Sequence, residues 1–309
     1  MGDLGFGKSF GMLESGEGHW AIEVLKGSLR LVGTGFPVWM IRLLVQAAPP
    51  GGTRKRFFSF FLKLLDDRIA SHDKVDHPDI THFLYEHYKK AKPADQKDLI
   101  HMLQGDARLL VIAGSDTTAI TLTHLFYYLI TVPGLMERVR DEVAGCMESD
   151  GGFSNLRLQK AELFNACINE TLRLHPPVPS GVPRQSPSQA VQVANMWIPP
   201  RTLIKMPWYV MGRDEAYFPR ASEFIPERFS TRPELLLRRD AWTPFSSGPY
   251  NCIGKNLAYM EIRTLAARLV TRFDMVLAPG ENGRGLVGEA EDNFTLGLRP
   301  FRVIVTQRE

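Results

Sequence analysis

Phe245-Ser246-Ser247-Gly248-Pro249-Tyr250-Asn251-Cys252-Ile253-Gly254 decides the fold. Gly248 lets the chain turn tightly, and Gly254 lets a flat group come close to the backbone. Cys252 stands just before a helical pattern, Leu257 to Arg272. Peptide N–H groups and the helix dipole there favour a thiolate. A thiolate on iron pushes electron density onto it and favours O–O cleavage. A lone loop cysteine is more often inert. The spacing Phe-x-x-Gly-x-x-x-Cys-x-Gly turns the reading towards a ligating thiol.

Upstream, Glu170-Thr171-Leu172-Arg173 lies on a helical pattern over 160–174 that closes at His175-Pro176-Pro177. Three-residue spacing puts Glu170 and Arg173 on one face. The plain alternative is a surface ion pair of at most about 1 kcal/mol. Pro226-Glu227-Arg228-Phe229 offers a second arginine that could close a buried Glu–Arg–Arg network.

Further upstream, an uninterrupted helical pattern over about 95–131 ends at Pro133. At about 1.5 Å per residue it would be roughly 55 Å long. Its middle, Ala113-Gly114-Ser115-Asp116-Thr117-Thr118, is rich in poor helix formers and predicts a kink or bulge. Asp116 beside Thr117 could relay protons in a buried cavity. Equally, the two threonines could bond back to the preceding turn.

The surrounding chain fits a mainly α protein with a minor β region. Trp20 to Leu31, Val38 to Ala47, Phe57 to Ala70 and Leu135 to Met147 read as helices, with Pro49-Pro50-Gly51-Gly52 as a break. Phe58, Phe61, Leu62, Leu65 and Ile69 form one apolar stripe. Gln185 to Tyr209 alternates as short strands and hairpins do, Pro219 to Phe229 is irregular, and Phe273 to Thr306 reads as strands and turns. The 37 basic against 34 acidic residues leave +3, which argues for no nucleic-acid partner. Three cysteines argue against a disulfide framework. The best apolar run, Leu31 to Ala48, is broken by Gly33, Gly35, Pro37 and Arg42 and reads as a core helix, with an amphipathic surface that touches a bilayer as the alternative.

The three motifs, in this order and with Pro-Glu-Arg-Phe between the last two, resemble the cytochrome P450 superfamily. The wording around Cys252 is most similar to filamentous-fungal microsomal members. The resemblance implies the mostly helical P450 fold, with heme b between the long helix and the cysteine loop. It makes Cys252 the axial iron ligand and Phe245, Gly248 and Gly254 the haem-loop residues. Asp116 and Thr117 would guide protons, Ala113 and Gly114 would border the oxygen pocket, and Arg184 would contact a propionate. Gly181, Val182 and Pro183 would face substrate, while Glu170, Arg173 and Arg228 would hold the core together.

The activity implied is insertion of one atom of dioxygen into a small apolar organic substrate, and the fungal wording implies a step in secondary metabolism. NADPH would supply electrons through a separate cytochrome P450 reductase, since no dinucleotide motif is present in this chain. The alternatives are a fragment that cannot hold haem and a haem enzyme of isomerisation or dehydration. Intact Asp116-Thr117 argues against the latter.

Two departures stand out. Tyr250 occupies a position where many members carry an arginine for a propionate. Asp3-Leu4-Gly5-Phe6-Gly7 resembles an interior family segment, so residues 1–309 read as a single incomplete catalytic domain. The parts expected to be missing are the N-terminal membrane anchor, most of the usual sheet, and a helix with a Trp and a basic residue for the propionates. The family expectation is the endoplasmic reticulum membrane, cytosolic face; without an anchor, a cytoplasmic location is the other expectation.

Overall fold

The computed structural model describes residues 2–33, 36–47, 52–74 and 77–308. The chain forms two compact units, Met1–Asp116 and Thr117–Glu309, with the boundary inside the helix Pro93–Thr131.

The first unit is helical among its described residues. Its longer helices are Trp20–Gly33, Val38–Ala47, Thr53–Ala70 and Ile80–Lys89, followed by the start of Pro93–Thr131. Phe6, Phe57, Phe61, Leu64, Leu65, Leu103 and Ala107 form its core. The apolar stripe of Thr53–Ala70 runs through Phe57, Phe61, Leu64 and Leu65, not through Phe58 as the sequence pattern suggested. Phe58 is exposed and lies near the Arg108 guanidinium. Residues 57, 61, 64, 65 and 68 satisfy helical spacing equally well, and Arg68 takes the last of these places in an ion pair with buried Asp79 (2.6 Å). Of the expected break at Pro49–Gly52, residues 49–51 lie outside the described residues.

In the second unit the helices Leu135–Ala144, Glu162–Leu174 and Lys255–Arg272 surround Leu125, Leu129, Val139, Val143, Phe164, Ile168, Ile262 and Val270. Ala266 and Ala267 are fully buried, and such small side chains let backbones approach closely. Arg140 clamps two elements, its Nε donating to the Val270 carbonyl (2.6 Å) and its Nη2 to Asp274 (2.8 Å).

Among the described residues, eight short strands form four two-stranded antiparallel sheets: Arg184–Gln185 (β1) with Leu203–Ile204 (β4), Val191–Val193 (β2) with Met196–Ile198 (β3), Phe273–Leu277 (β5) with Val303–Gln307 (β8), and Glu291–Asn293 (β6) with Thr295–Gly297 (β7). This is the mainly α architecture with a minor β part that the sequence pattern predicts.

Four local expectations need correction. The helix from Leu135 ends at Ala144, where Gly145 follows, and Met147 sits in an isolated bridge with Phe153. Trp208 and Tyr209 belong to a helical turn, Trp208–Met211, because Pro207 fixes φ at the position before it. Pro226–Phe229 is a 3-10 turn inside the stretch read as irregular. The predicted interruption at 113–118 is absent from the secondary structure: Pro93–Thr131 is α-helical throughout.

Burial of Ile120, Leu125 and Leu129 outweighs the weak propensities in the long helix. The hydroxyls of Thr121, Thr123 and Thr131 return to the carbonyls of Thr117 (3.0 Å), Ala119 (2.8 Å) and Tyr127 (2.7 Å). By length and composition this helix is apolar enough to cross a membrane. A third of its apolar stretch is buried, and along the helix Leu103 and Ala107 lie in the first core and Leu125 and Leu129 in the second.

Candidate active site

The cysteine loop is built by its own backbone. Gly248 has φ +75°, a conformation costly for residues with a Cβ. Its carbonyl accepts from the Asn251 N–H (3.1 Å). The Cys252 N–H then returns to the Phe245 carbonyl (2.8 Å), closing the loop at both ends of the motif. The Cys252 carbonyl receives the Lys255 N–H (3.3 Å), so the helix Lys255–Arg272 starts directly from the loop.

Cys252 is the exposed cysteine of the three, and Cys146 and Cys167 are buried. Burial pushes the Cys167 thiol far up, so an anionic sulfur is disfavoured there. Gly254 has an ordinary negative φ (−80°). A Cβ there would sit in ordinary contact with the Cys252 Sγ (3.9 Å), so neither the turn nor the packing within the loop requires a glycine at this position.

Arg184, at the start of β1, reaches this loop. Its Nη2 donates to the Ser246 hydroxyl (3.1 Å) and to the Tyr250 carbonyl (3.2 Å). Tyr250 and Ile253 flank the sulfur and are 80% and 97% exposed. Beneath them the Phe245 ring packs on Tyr259, centroids 5.2 Å apart, and joins the core. An accessible thiol, exposed apolar side chains and an arginine on one loop suit a flat group with an apolar ring, a metal and anionic carboxylates. Heme b has that chemistry, so the residues present fit it.

The same unit holds a buried ion network. Glu170, Arg173 and Arg228 have no exposed side-chain surface. Glu170 accepts from Arg173 Nε (2.7 Å) and Nη2 (2.8 Å), from Arg228 Nε (2.9 Å) and from the Ile225 N–H (2.8 Å). The alternative of a surface ion pair is therefore excluded. Arg173 also donates to the carbonyls of Gly212, Ala221 (2.7 Å) and Glu223 (2.9 Å). Arg228 donates to those of Pro219 (3.0 Å), Leu235 (2.5 Å) and Arg220 (3.2 Å). Two cations thus organise the irregular segment between residues 212 and 235. Asn169, beside Glu170, takes the Trp242 indole N–H on its carbonyl (3.3 Å) and the Tyr259 hydroxyl on its side chain (2.8 Å).

Ala113, Gly114 and Asp116 lie on the long helix in the first unit, and Thr117 opens the second. Thr118 is buried and its hydroxyl donates to Glu261 on the helix after the cysteine (3.4 Å). Burial pushes the Glu261 carboxyl up. Gly181 has φ +69°, and a Cβ there would strike the Met206 carbonyl, so the segment running to Arg184 is fixed against the backbone before β4's following turn.

Sequence reading missed the non-local partners: Ser246 and the Tyr250 carbonyl for Arg184, Asn169, and Glu261. It also missed a buried aromatic cluster in which His124 stacks on His175 (4.1 Å) and the His175 Nε2 meets the Tyr128 hydroxyl (2.8 Å). Both rings are driven towards the neutral form by burial, His124 to about 4.

Comparison with known proteins places the chain among related sequences. The chain is 40% identical over its whole length to the cytochrome P450 monooxygenase lcsK of Purpureocillium lilacinum, of which it covers 56%. It is 40% identical over 94% of its length to the cytochrome P450 monooxygenase sthD of Phaeosphaeria nodorum, covering 62% of that protein. It is 37% identical over its whole length to a tryprostatin B 6-hydroxylase of Aspergillus fumigatus, covering 55%. The chain therefore spans rather more than half the length of these relatives. The profile of the family described as Cytochrome P450 matches residues 1–296, a stretch that contains the cysteine loop and the buried ion network alike, and the chain belongs to that family.

Proposed function

We propose that the chain is the haem-holding part of a monooxygenase that inserts one atom of dioxygen into an apolar organic substrate. The observation that carries this reading is the exposed Cys252 thiol on a loop whose backbone is gripped by Arg184. When bound, the haem iron supplies dioxygen activation and transfer of one oxygen atom. Cys252 would hold the iron through its sulfur, whose electron density favours O–O cleavage. Arg184 would neutralise one propionate, and exposed Tyr250 would hydrogen-bond the other where many members use an arginine. Asp116 and Thr117 would hold and pass protons, while Ala113 and Gly114 leave room beside them. Glu170, Arg173 and Arg228 would act through the fold, by holding the irregular segment 212–235. Gly181, Val182 and Pro183 would line the substrate side.

Relatives named as monooxygenases, including a tryprostatin hydroxylase, support a secondary-metabolite substrate. Electrons would come from NADPH through a separate reductase, at the cytosolic face of the endoplasmic reticulum.

The test is a reduced, carbon monoxide-bound difference spectrum of the chain supplied with haem, beside Cys252→Ala. The expected result is a thiolate-type Soret band that disappears in the variant. A band unchanged in the variant, or no band with the folded chain, would overturn the reading.

A further inference from the structure

Beside Arg173 lies a cavity of about 10 Å³, lined in part by Trp208, Gly212, Trp242, Thr243 and Pro244. Two of its lining side chains carry a buried polar atom with no hydrogen-bond partner, the Trp208 Nε1 and the Thr243 Oγ1. Native proteins rarely leave such atoms unpaired, and an internal water is the common remedy. We propose that this cavity is a binding site for one water molecule, which joins Trp208 to Thr243.

The chemistry selects the ligand. The indole N–H only donates, so the occupant must accept; the threonine hydroxyl can donate or accept. The volume admits a single small species. Arg173, the one charged group in the lining, has all five N–H donors engaged: Nε and one Nη2 donor by Glu170, the other Nη2 donor by the Glu223 carbonyl, and both Nη1 donors by Gly212 and Ala221. No free guanidinium donor calls for an anion. Water fits both partners and needs no counter-charge.

Hydrogen bonds tie the lining of the site to Arg173 on one side and to the cysteine loop on the other. Arg173 grips the Gly212 carbonyl, and the Gly212 N–H donates to the Trp208 carbonyl (2.8 Å). Across the cavity, the Thr243 carbonyl accepts the Ser246 N–H (2.9 Å), and Phe245 beside it receives the Cys252 N–H. The water therefore completes a path from Glu170–Arg173 to the loop, and makes Trp208 and Thr243 positioning residues for Cys252. This holds with or without haem.

The test uses crystals of the full chain and of Thr243→Val and Thr243→Ser. The expected result is one water within hydrogen-bond distance of both atoms in the parent and in Thr243→Ser, lost in Thr243→Val. In solution, Cys252 is the exposed cysteine, so its reaction with an aromatic disulfide reports on the loop. Several-fold faster reaction is expected in Thr243→Val and a parental rate in Thr243→Ser. Should Thr243→Val fail to fold, an indole N–H cross-peak to water, assigned by its loss in Trp208→Phe, decides for the parent chain. A direct Trp208–Thr243 hydrogen bond closing the cavity, a bromide peak there after soaking, or no water cross-peak would overturn the proposal.

Discussion

Replacing Glu170 by Gln keeps the shape of the buried ion network and removes its negative charge. The carboxylate accepts four hydrogen bonds, three of them from two arginines with no exposed surface. A neutral amide offers one acceptor oxygen and points two donors at guanidinium groups that also donate. Both cations are then buried without their counter-charge. Removing one partner of a buried pair costs about 3–5 kcal/mol, against a total stability of roughly 5–15 kcal/mol for a domain. With a urea m-value of about 3 kcal/mol per molar, the unfolding midpoint should fall by about 1 M or more. Urea titration followed by circular dichroism reads this directly. The loss should be nearly the same at low and high salt, because the three charged side chains have no exposed surface for ions to screen. Arg220→Ala is the control: its pair with Glu223 is half exposed, and the expected change is under about 1 kcal/mol. A Glu170→Gln midpoint within the scatter of that control would refute the assignment of this network as what holds residues 212–235.

Gly248→Ala, at φ +75°, should destabilise the loop by about 1–2 kcal/mol, whereas Gly254→Ala should leave the haem-free chain near parental stability; thermal melts distinguish them. Arg184→Ala should weaken haem retention and Arg184→Lys should restore only part of it, since an ammonium cannot span Ser246 and the Tyr250 carbonyl as the guanidinium does; haem transfer to apomyoglobin measures this. Acid should unfold the second unit through His124. Its folded value of about 4 lies below the ordinary 6.5, so the unfolded chain binds the proton first, and stability falls as pH drops from 6.5 towards 4. The loss reaches about 3 kcal/mol at the lower limit. In His124→Asn, which keeps a donor for the Ile120 carbonyl, urea midpoints at pH 7 and pH 5 should lie closer together than in the parent.

What the sequence displayed was local. Helical spacing alone puts Glu170 and Arg173 on one face, and the glycine and proline around Cys252 announce a tight turn before a helix. Periodicity identified the long helix although Gly114, Thr117 and Thr118 weaken its middle, because length and apolar content decide helices more than single residues do. It failed where two stripes satisfied the same period, as with Phe58 against Phe57 and Leu64. Choosing between them takes knowledge of what packs opposite, and here the buried ion pair of Arg68 with Asp79 occupies one end of the chosen face.

The illegible part of the site is the part made by carbonyl groups. Arg173 and Arg228 are recognisable from their motifs, yet most of their donors go to the backbone of residues 212–235, and a carbonyl has no identity in a sequence. The same holds for Arg184, which finds the Tyr250 carbonyl rather than its phenol. That difference bears on the departure at position 250. An arginine there would crowd a second cation against Arg184 over one short loop. With tyrosine, the guanidinium grips the loop backbone while the phenol stays exposed and uncharged. In the proposed haem site a single arginine would both hold the loop and meet a carboxylate, so Tyr250→Arg should add a charge contact for haem while loosening the loop that Arg184 now holds. Haem affinity rising together with faster Cys252 reaction in the haem-free chain is the expected pair of results, and a slower or unchanged thiol reaction would show that Arg184 does not set the loop.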